Sequence, residues 1–291
     1  MFEMNKNVSL LSVVGLCLFL NGSLSPGLPT ENIFQLPVKA QLISELKSIK
    51  PGTKLCVAVR LKMDEGWHTY WKNPGDSGLP TSIEWTLPEG FVADDIQWPF
   101  PQLFKTSERV SYGYEDEVFL LTDLHAPSVL KSGTIVRLSA SVDWLACKEE
   151  CVPGLSELAI ELPVKEQIPE PDARWAENFA NTRKNLPANL TQWKIAAALV
   201  KDKIIIQVFP TISFDRKMAH IVFFPEQERL VEYSRPQGVQ KVGNGYSIEI
   251  QRSKTAAKIP PRLIGVLYTP QGWDSLAELR ALRVDVPLHN N

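Results

Sequence analysis

Short runs in which apolar and polar side chains alternate fill most of the first half of the chain. Residues 82–87 (SIEWTL) alternate strictly, and residues 55–61 (LCVAVRL) form a second strand-like run. Alternation with a period of two residues is typical of a β-strand with one buried face. The other runs that predict strands lie at 112–121, 135–144 and 155–162, with two strands in 36–64 separated by a turn at 50–53.

The second half repeats this pattern after one helical segment. Residues 172–186 predict an α-helix, because Asp172 is a suitable N-terminal cap and Pro187 follows the last turn. Residues 242–246 (VGNGY) predict a hairpin, since Asn-Gly adopts the left-handed dihedral angles that a two-residue turn requires. The remaining predicted strands are 193–199, 203–208, 220–224, 246–250 and 263–268, while 275–282 fits either a strand or a short helix.

The spacing of these runs predicts the fold class. Short strands separated by turn signals, with 22 prolines against 16 glycines, favour β-sandwiches over alternating strands and helices. We therefore expect a mainly β protein with two β-rich domains in series. The predicted divisions are a β-sandwich domain at 30–165, a helical linker at 166–190 and a second, sandwich-like β domain at 191–291.

The N-terminus carries a targeting pattern. Lys6 precedes the apolar run 8–20, and the polar and turn-forming residues 21–27 interrupt it. A run of thirteen residues is too short to cross a bilayer but fits the core of a secretory signal peptide. We predict a signal peptide at 1–25, with the cleavage site left open, and a mature protein that is exported and soluble.

Composition excludes several classes of function. A hydrophobic content of 44% and a charged content of 22% are typical of a globular protein. A net charge of −2 without any basic stripe argues against a nucleic-acid partner. The sequence has no Gly-rich phosphate loop, nucleophile elbow or metalloprotease helix, so we expect no small-molecule cofactor.

Candidate chemistry is concentrated in residues 142–154 (VDWLACKEECVPG), which place Cys147 and Cys151 four positions apart. Fully extended, that spacing separates the Cα atoms by about 13 Å, too far for a disulfide, whereas a bend brings them to about 6 Å. The segment Val152-Pro153-Gly154 predicts such a bend. Cys56 is predicted to be a small buried apolar side chain.

Three interpretations of the pair remain open on the residues alone: reversible thiol–disulfide exchange, a structural disulfide, and a metal site completed by His68 or His125. The metal interpretation is the weakest, because the sequence has no second close Cys or His pair. Lys148 favours a thiolate, whereas Glu149 and Glu150 oppose it.

An aromatic-rich stretch at 66–80 precedes the cysteine segment, and its residues 73–78 predict an irregular loop. Most tryptophans in this half are expected in the core. Trp71 and Trp144, each beside an irregular stretch, are candidates for shielding the thiols.

Several of these segments together resemble one family, the N-terminal periplasmic region of the DsbD/ScsB thiol:disulfide interchange proteins. The cysteine motif with its Asp-Trp-Leu lead-in and Val-Pro-Gly exit is the specific part. The resembling segments are 66–85, 98–101, 110–114, 142–154, 220–225 and 260–267. The resemblance thus covers nearly the whole mature chain.

The resemblance implies an immunoglobulin-like sandwich in the periplasm that acts as a protein-disulfide reductase. Its cysteine pair would receive electrons from a membrane-embedded donor of the DsbD/CcdA type and pass them to disulfides of exported proteins. Cys151 would form the mixed disulfide and Cys147 would resolve it. A cap loop shields the pair in relatives, and the matching candidates are Trp71, Asn73 and Pro74.

Two features set this chain apart from the longer members of the family. Three residues separate the two cysteines, as in the ScsB-like branch, whereas DsbD has a longer separation. Full-length relatives continue into a membrane domain and a thioredoxin-like domain, and this chain ends at Asn291. We therefore expect its electron donor to be a separate protein.

Overall fold

Seventeen strands and one helix account for the regular structure of the residues described by the computed structural model, which are 36–105, 109–256 and 258–290. The predicted signal peptide at 1–25 lies outside them. The first ten strands are β1 (Val38–Ser44), β2 (Lys54–Met63), β3 (His68–Gly75), β4 (Ser82–Thr86), β5 (Val92–Ala93), β6 (Gln102–Lys105), β7 (Val110–Glu115), β8 (Glu117–His125), β9 (Ile135–Cys147) and β10 (Cys151–Pro163).

These strands form a two-sheet sandwich. One sheet has the order β1-β2-β8-β5, and the other has the order β10-β9-β3-β7-β6, with β4 also paired to β9. Alternate residues of β9 from Val136 to Ala146 are buried in the core between the sheets, and the residues between them face outwards. The sequence prediction of a mainly β protein that begins with a sandwich is confirmed.

The run at 112–121 is two strands, so the prediction of a single strand there is wrong. Asp116 interrupts the run with a positive φ of 59°, a left-handed conformation that aspartate tolerates better than most residues. The strands on either side of this residue, β7 and β8, belong to different sheets. An alternating pattern continues through the break, because both strands bury one face in the same core.

Strand β3 extends further than the sequence predicted. Residues 73–75 belong to the strand and are not part of an irregular loop, although the register shifts between Tyr70 and Gly75. Gly75 is required at this shift, because its φ is 88° and an added Cβ would lie 2.4 Å from the Val110 carbonyl oxygen.

The predicted helix exists but is shorter than 172–186. Helix α1 spans Ala176–Lys184, and Trp175 occupies the N-cap position instead of Asp172. The Asp172 carboxylate accepts hydrogen bonds from the backbone and guanidinium of Arg174. Phe179 of α1 is fully buried against the outer face of the first sheet, so the helix covers that face.

The last seven strands form a second β-rich region with its own core. They are β11 (Trp193–Val200), β12 (Lys203–Pro210), β13 (Val222–Pro225), β14 (Gly238–Val242), β15 (Gly245–Gln251), β16 (Arg262–Tyr268) and β17 (Ala281–Asn290), in the order β13-β16-β17-β11-β12-β15-β14. The ambiguous segment 275–282 is therefore neither a helix nor a complete strand, since β17 begins at Ala281.

The predicted hairpin between β14 and β15 is confirmed, with its turn one residue earlier than expected. Val242 pairs with Gly245, so the two turn residues are Gly243 and Asn244. Gly243 supplies the positive φ of 57°. The described residues from 36 to 290 form one compact unit. The domain boundaries at 30–165 and 191–291 stay predictions.

Candidate functional site

Cys147 and Cys151 lie directly opposite each other at the tip of the β9–β10 hairpin and are joined by a disulfide, with their Cα atoms 4.1 Å apart. The turn consists of the three residues between them, and the Lys148 amide donates a hydrogen bond of 3.1 Å to the Glu150 carbonyl. The bend is thus inside the pair, and the prediction that Val152-Pro153-Gly154 supply it is wrong. Those residues belong to β10 and pair with β9.

The two cysteines differ in accessibility. Cys147 is 4% exposed, whereas Cys151 is an exposed residue at the start of β10. A sulfur nucleophile from another molecule can approach Cys151 from solvent, and Cys147 is covered by the fold. This asymmetry distinguishes an outer, accessible sulfur from an inner one.

Aromatic side chains of β3 and β6 flank the disulfide on the outer face of the sheet. His68 is opposite Cys147 in the register, so the two side chains share a face, and Tyr70 lies two residues further along that face. The Tyr70 hydroxyl is 3.9 Å from the Cys151 sulfur. The Phe104 ring stacks on the His68 imidazole, with ring centroids 4.6 Å apart.

Sequence reasoning missed Tyr70 and Phe104 as neighbours of the pair. A signal for Tyr70 is present in the sequence, because residues two apart in a strand point to the same face. In WHTYW, His68 and Tyr70 therefore share one face, and the other three residues share the opposite face. Which set faces the cysteines depends on the register between β3 and β9. Phe104 reaches the site from a distant strand, and no local pattern marks it.

The two rings of β3 beside the disulfide, those of His68 and Tyr70, are uncharged at neutral pH. Burial lowers the pKa of His68 and raises the pKa of Tyr70. The Lys148 ammonium lies 3.2 Å from the carbonyl oxygen of Glu65, to which it donates a hydrogen bond. Neither ring therefore supplies a positive charge that would stabilise a thiolate at the reduced pair.

The residues proposed as a cap by resemblance have their main contacts elsewhere. Trp71 is buried in the core and meets Tyr112 and Phe224 edge to face, with ring centroids 6.4 Å apart in both pairs. Asn73 and Pro74 are buried as well. The Asn73 amide nitrogen donates to the Pro225 carbonyl oxygen at 2.7 Å, which ties β3 to the second β region. Their role in shielding the pair stays a prediction.

Trp144 lies on the core face of β9, on the side opposite to the disulfide. It pairs with Gly154 of β10, and an added Cβ at Gly154 would be 2.2 Å from the indole ring. The glycine thus makes room for the ring, and the ring packs over the base of the hairpin that carries the cysteines. Gly154 of the Val-Pro-Gly segment is needed for this packing, and the segment does not form a bend.

The two histidines considered for a metal site are far apart in the fold. His68 is beside the pair, whereas His125 lies at the opposite end of β8 and contacts Asp94 at 2.9 Å. Within 36–105, 109–256 and 258–290, no group of three or more His, Cys, Asp or Glu side chains is arranged to hold a metal ion. In the same ranges, no helix has the length and apolar character needed to cross a membrane.

Cys56 is buried between the first sheet and α1, so its prediction as a small apolar core residue is confirmed. Desolvation by burial raises the pKa of its thiol to about 12.

We expect iodoacetamide at pH 8 to leave Cys56 unmodified in the folded protein, because the thiol is protonated and covered. Mass spectrometry after labelling with and without denaturant measures this, with reduced Cys151 as the reactive control. Rapid labelling of Cys56 in the folded state would contradict the burial.

Comparison with known proteins identifies a family for the first β region. Residues 36–163 match the family model described as thiol:disulfide interchange protein DsbD, N-terminal. No curated protein sequence matches the chain.

Among the solved structures, a periplasmic domain matches most of this chain. The N-terminal periplasmic domain of ScsB from Proteus mirabilis aligns with 87% of this chain and 92% of that chain, at 14% identity and a TM-score of 0.58. At 14% identity the match shows a similar fold and nothing more specific. The aligned 87% of this chain includes parts of both β regions. A protein of unknown function from Porphyromonas gingivalis W83 aligns with 87% of this chain and 100% of its own, at 11% identity and a TM-score of only 0.26.

Proposed function

Because residues 36–163 form an N-terminal domain of the DsbD/ScsB type, we propose that the protein exchanges electrons with other exported proteins through Cys147 and Cys151. The observation that carries this proposal is the position of the disulfide. It lies at the tip of a hairpin, where Cys151 is an exposed residue and Cys147 is buried. A disulfide that only cross-links the fold has no need of an accessible sulfur flanked by aromatic rings.

The cycle starts from the dithiol form. The Cys151 thiolate attacks one sulfur of a substrate disulfide, the substrate S–S bond breaks, and the second substrate sulfur leaves as a thiolate. The Cys147 thiolate then attacks the Cys151 sulfur, which releases the first substrate sulfur and forms the Cys147–Cys151 disulfide. Two electrons pass to the substrate, and its two thiolates take up protons from solvent.

The pair must be reduced again by a dithiol of a second protein, which is oxidised to a disulfide in the same two steps run in reverse. We assign this role to a membrane-embedded donor of the DsbD/CcdA type, and place the cycle in the periplasm. The family of the first β region supports both assignments. The partners accept or donate electrons at the same exposed sulfur, because Cys151 is the accessible member of the pair.

A redox titration tests this function. We expect half of the Cys147–Cys151 pair to be reduced at a potential more oxidising than about −300 mV, since exchange proteins lie above that value and structural disulfides below it. The protein is equilibrated in thiol–disulfide buffers, quenched with acid and alkylated with a reagent that adds mass. A Cys56→Ser variant serves as the matched control, because it leaves only the pair to be counted. A pair that stays oxidised at about −300 mV is structural, and the proposal fails.

A further inference from the structure

The end of the sandwich that carries the disulfide is surrounded by carboxylates from three turns. They are the β2–β3 turn with Asp64 and Glu65, the β7–β8 turn with Glu115 and Asp116, and the β9–β10 turn with Glu149 and Glu150, and all six residues are exposed. We call these six residues the acidic collar.

Contacts between the turns bring the collar together at the end of the sheet where the disulfide lies. The Met63 amide donates to the Asp116 carbonyl at 2.8 Å, which joins the first two turns. The Lys148 ammonium donates to the Glu65 carbonyl at 3.2 Å, which joins the first and the third. His68 is opposite Glu115 on one side and opposite Cys147 on the other, so the collar and the disulfide share the end of one sheet.

The charge of the collar is strongly one-sided. The three turns and the adjoining Glu115 at the end of β7 contain six carboxylates and one ammonium group, that of Lys148. The whole chain has a formal net charge of only −2, so the negative charge is concentrated at the disulfide and is not a property of the whole surface. A field of this kind attracts positively charged molecules and slows the approach of negatively charged ones.

Exposed apolar side chains continue the same face beside the collar. Pro153 and Leu155 follow Cys151 at intervals of two along β10, so all three point to the outer face. Leu155 is 59% exposed. Strand β10 is at the edge of its sheet, but Pro153 has no N–H to offer an added strand.

We propose that this surface docks one kind of partner: a protein whose reactive cysteine has lysine or arginine side chains around it and an apolar rim. The assignment rests on the proposed exchange function and adds to it the charge that selects the partner. Positive groups around the partner cysteine complement the collar, and the apolar rim covers Pro153 and Leu155. The same positive groups stabilise the thiolate that leaves when the mixed disulfide forms.

Three synthetic peptides test the charge selection. Each is a disulfide-linked dimer of one short peptide, with the cysteine flanked by four lysines, four serines or four glutamates. The reduced full-length protein is mixed with each dimer, and the released peptide thiol is measured over time. Each rate is divided by the rate of the same dimer with 2-mercaptoethanol, which removes differences in intrinsic reactivity.

At low salt we expect the normalised rate for the lysine peptide to exceed that for the glutamate peptide by about tenfold or more, with the serine peptide between them. The ratio should fall towards one in 1 M NaCl, where the screening length is about 3 Å. The double variant Glu149→Gln/Glu150→Gln should lower the low-salt ratio by about twofold to threefold for each carboxylate removed.

A matched control separates the collar from the total charge. The variant Glu89→Gln/Glu166→Gln makes the same change in net charge at exposed residues outside the three collar turns, and should leave the ratio unchanged. Exchange with all three peptides at equal normalised rates would overturn the docking assignment and leave the exchange function standing. No exchange with any peptide would overturn the exchange function, and the docking assignment with it.

Discussion

A Cys147→Ser variant should accumulate as mixed disulfides with other exported proteins through Cys151. The exposed Cys151 sulfur can still attack a substrate disulfide, but the serine hydroxyl in place of Cys147 cannot displace the bound substrate. Partner complexes that normally resolve at once would therefore persist. Acid quenching of cells that export the variant, followed by non-reducing electrophoresis, should show bands that disappear on reduction.

Three companion variants make this result specific. Cys151→Ser should form few complexes, because the remaining Cys147 sulfur is buried. The double variant Cys147→Ser/Cys151→Ser should form none, and Cys56→Ser should not change the pattern of the Cys147→Ser variant. A Cys147→Ser protein that stays monomeric on non-reducing gels would count against the proposed exchange function.

Loss of folding is a poor explanation for any of these outcomes, because the disulfide closes a very short loop. In the chain-entropy account, a loop of this size stabilises the folded state by only about 2 kcal/mol. The strand pairing of β9 and β10 continues over thirteen residues on each side of the turn and does not depend on the bond. Circular dichroism of each variant should show an unchanged β spectrum.

An Asn73→Leu variant should lose about 2–4 kcal/mol of unfolding free energy. Asn73 is fully buried, and its amide donates to the Pro225 carbonyl at 2.7 Å while its oxygen accepts from the Gly75 amide at 3.1 Å. Leucine keeps the volume but leaves these two backbone groups unpaired away from water, at about 1–3 kcal/mol each. Urea unfolding followed by tryptophan fluorescence measures the loss.

Two further variants separate the hydrogen bonds from the packing. Tyr233 also contacts the Asn73 side chain at 3.2 Å, so Tyr233→Phe combined with Asn73→Leu should cost less than the two single changes added together. Thr122 is the matched control, because its hydroxyl is buried without a hydrogen-bond partner among the described residues. Thr122→Val should therefore be neutral or stabilising. An Asn73→Leu protein as stable as Thr122→Val would refute the role of the amide.

The Asn73 contact also affects the position of the strand beside the disulfide. Strand β3 carries His68 and Tyr70 beside the disulfide and Asn73 in contact with the second β region. The second region therefore holds the strand that flanks the cysteines. This contact assigns Asn73 a connecting role that its resemblance to a cap loop did not suggest.

The local pattern was sufficient for most of the strands and for the candidate pair. Alternation of apolar and polar residues depends on a period of two within one strand, so runs such as 82–87 were recognisable without knowledge of their partners. Cys56 is buried as predicted, but the run places it on the face opposite to Leu55 and Val57, and α1 is what covers that face. The cysteine segment and its resemblance to a family followed from residue identity alone, and the family is the one that 36–163 match.

Tertiary structure decided the rest, for reasons that no local window contains. Alternation does not show where a run passes from one sheet to another, so the break at Asp116 is not predicted. It also does not show which face of β3 lies beside Cys147, so the position of Tyr70 is not predicted. The turn between the cysteines depends on the register of β9 with β10. The acidic collar exists only because three turns from distant parts of the chain meet at one end of a sheet. The sequence by itself thus determined which residues carry the chemistry, and only the folded chain decided which sulfur is accessible and what charge surrounds it.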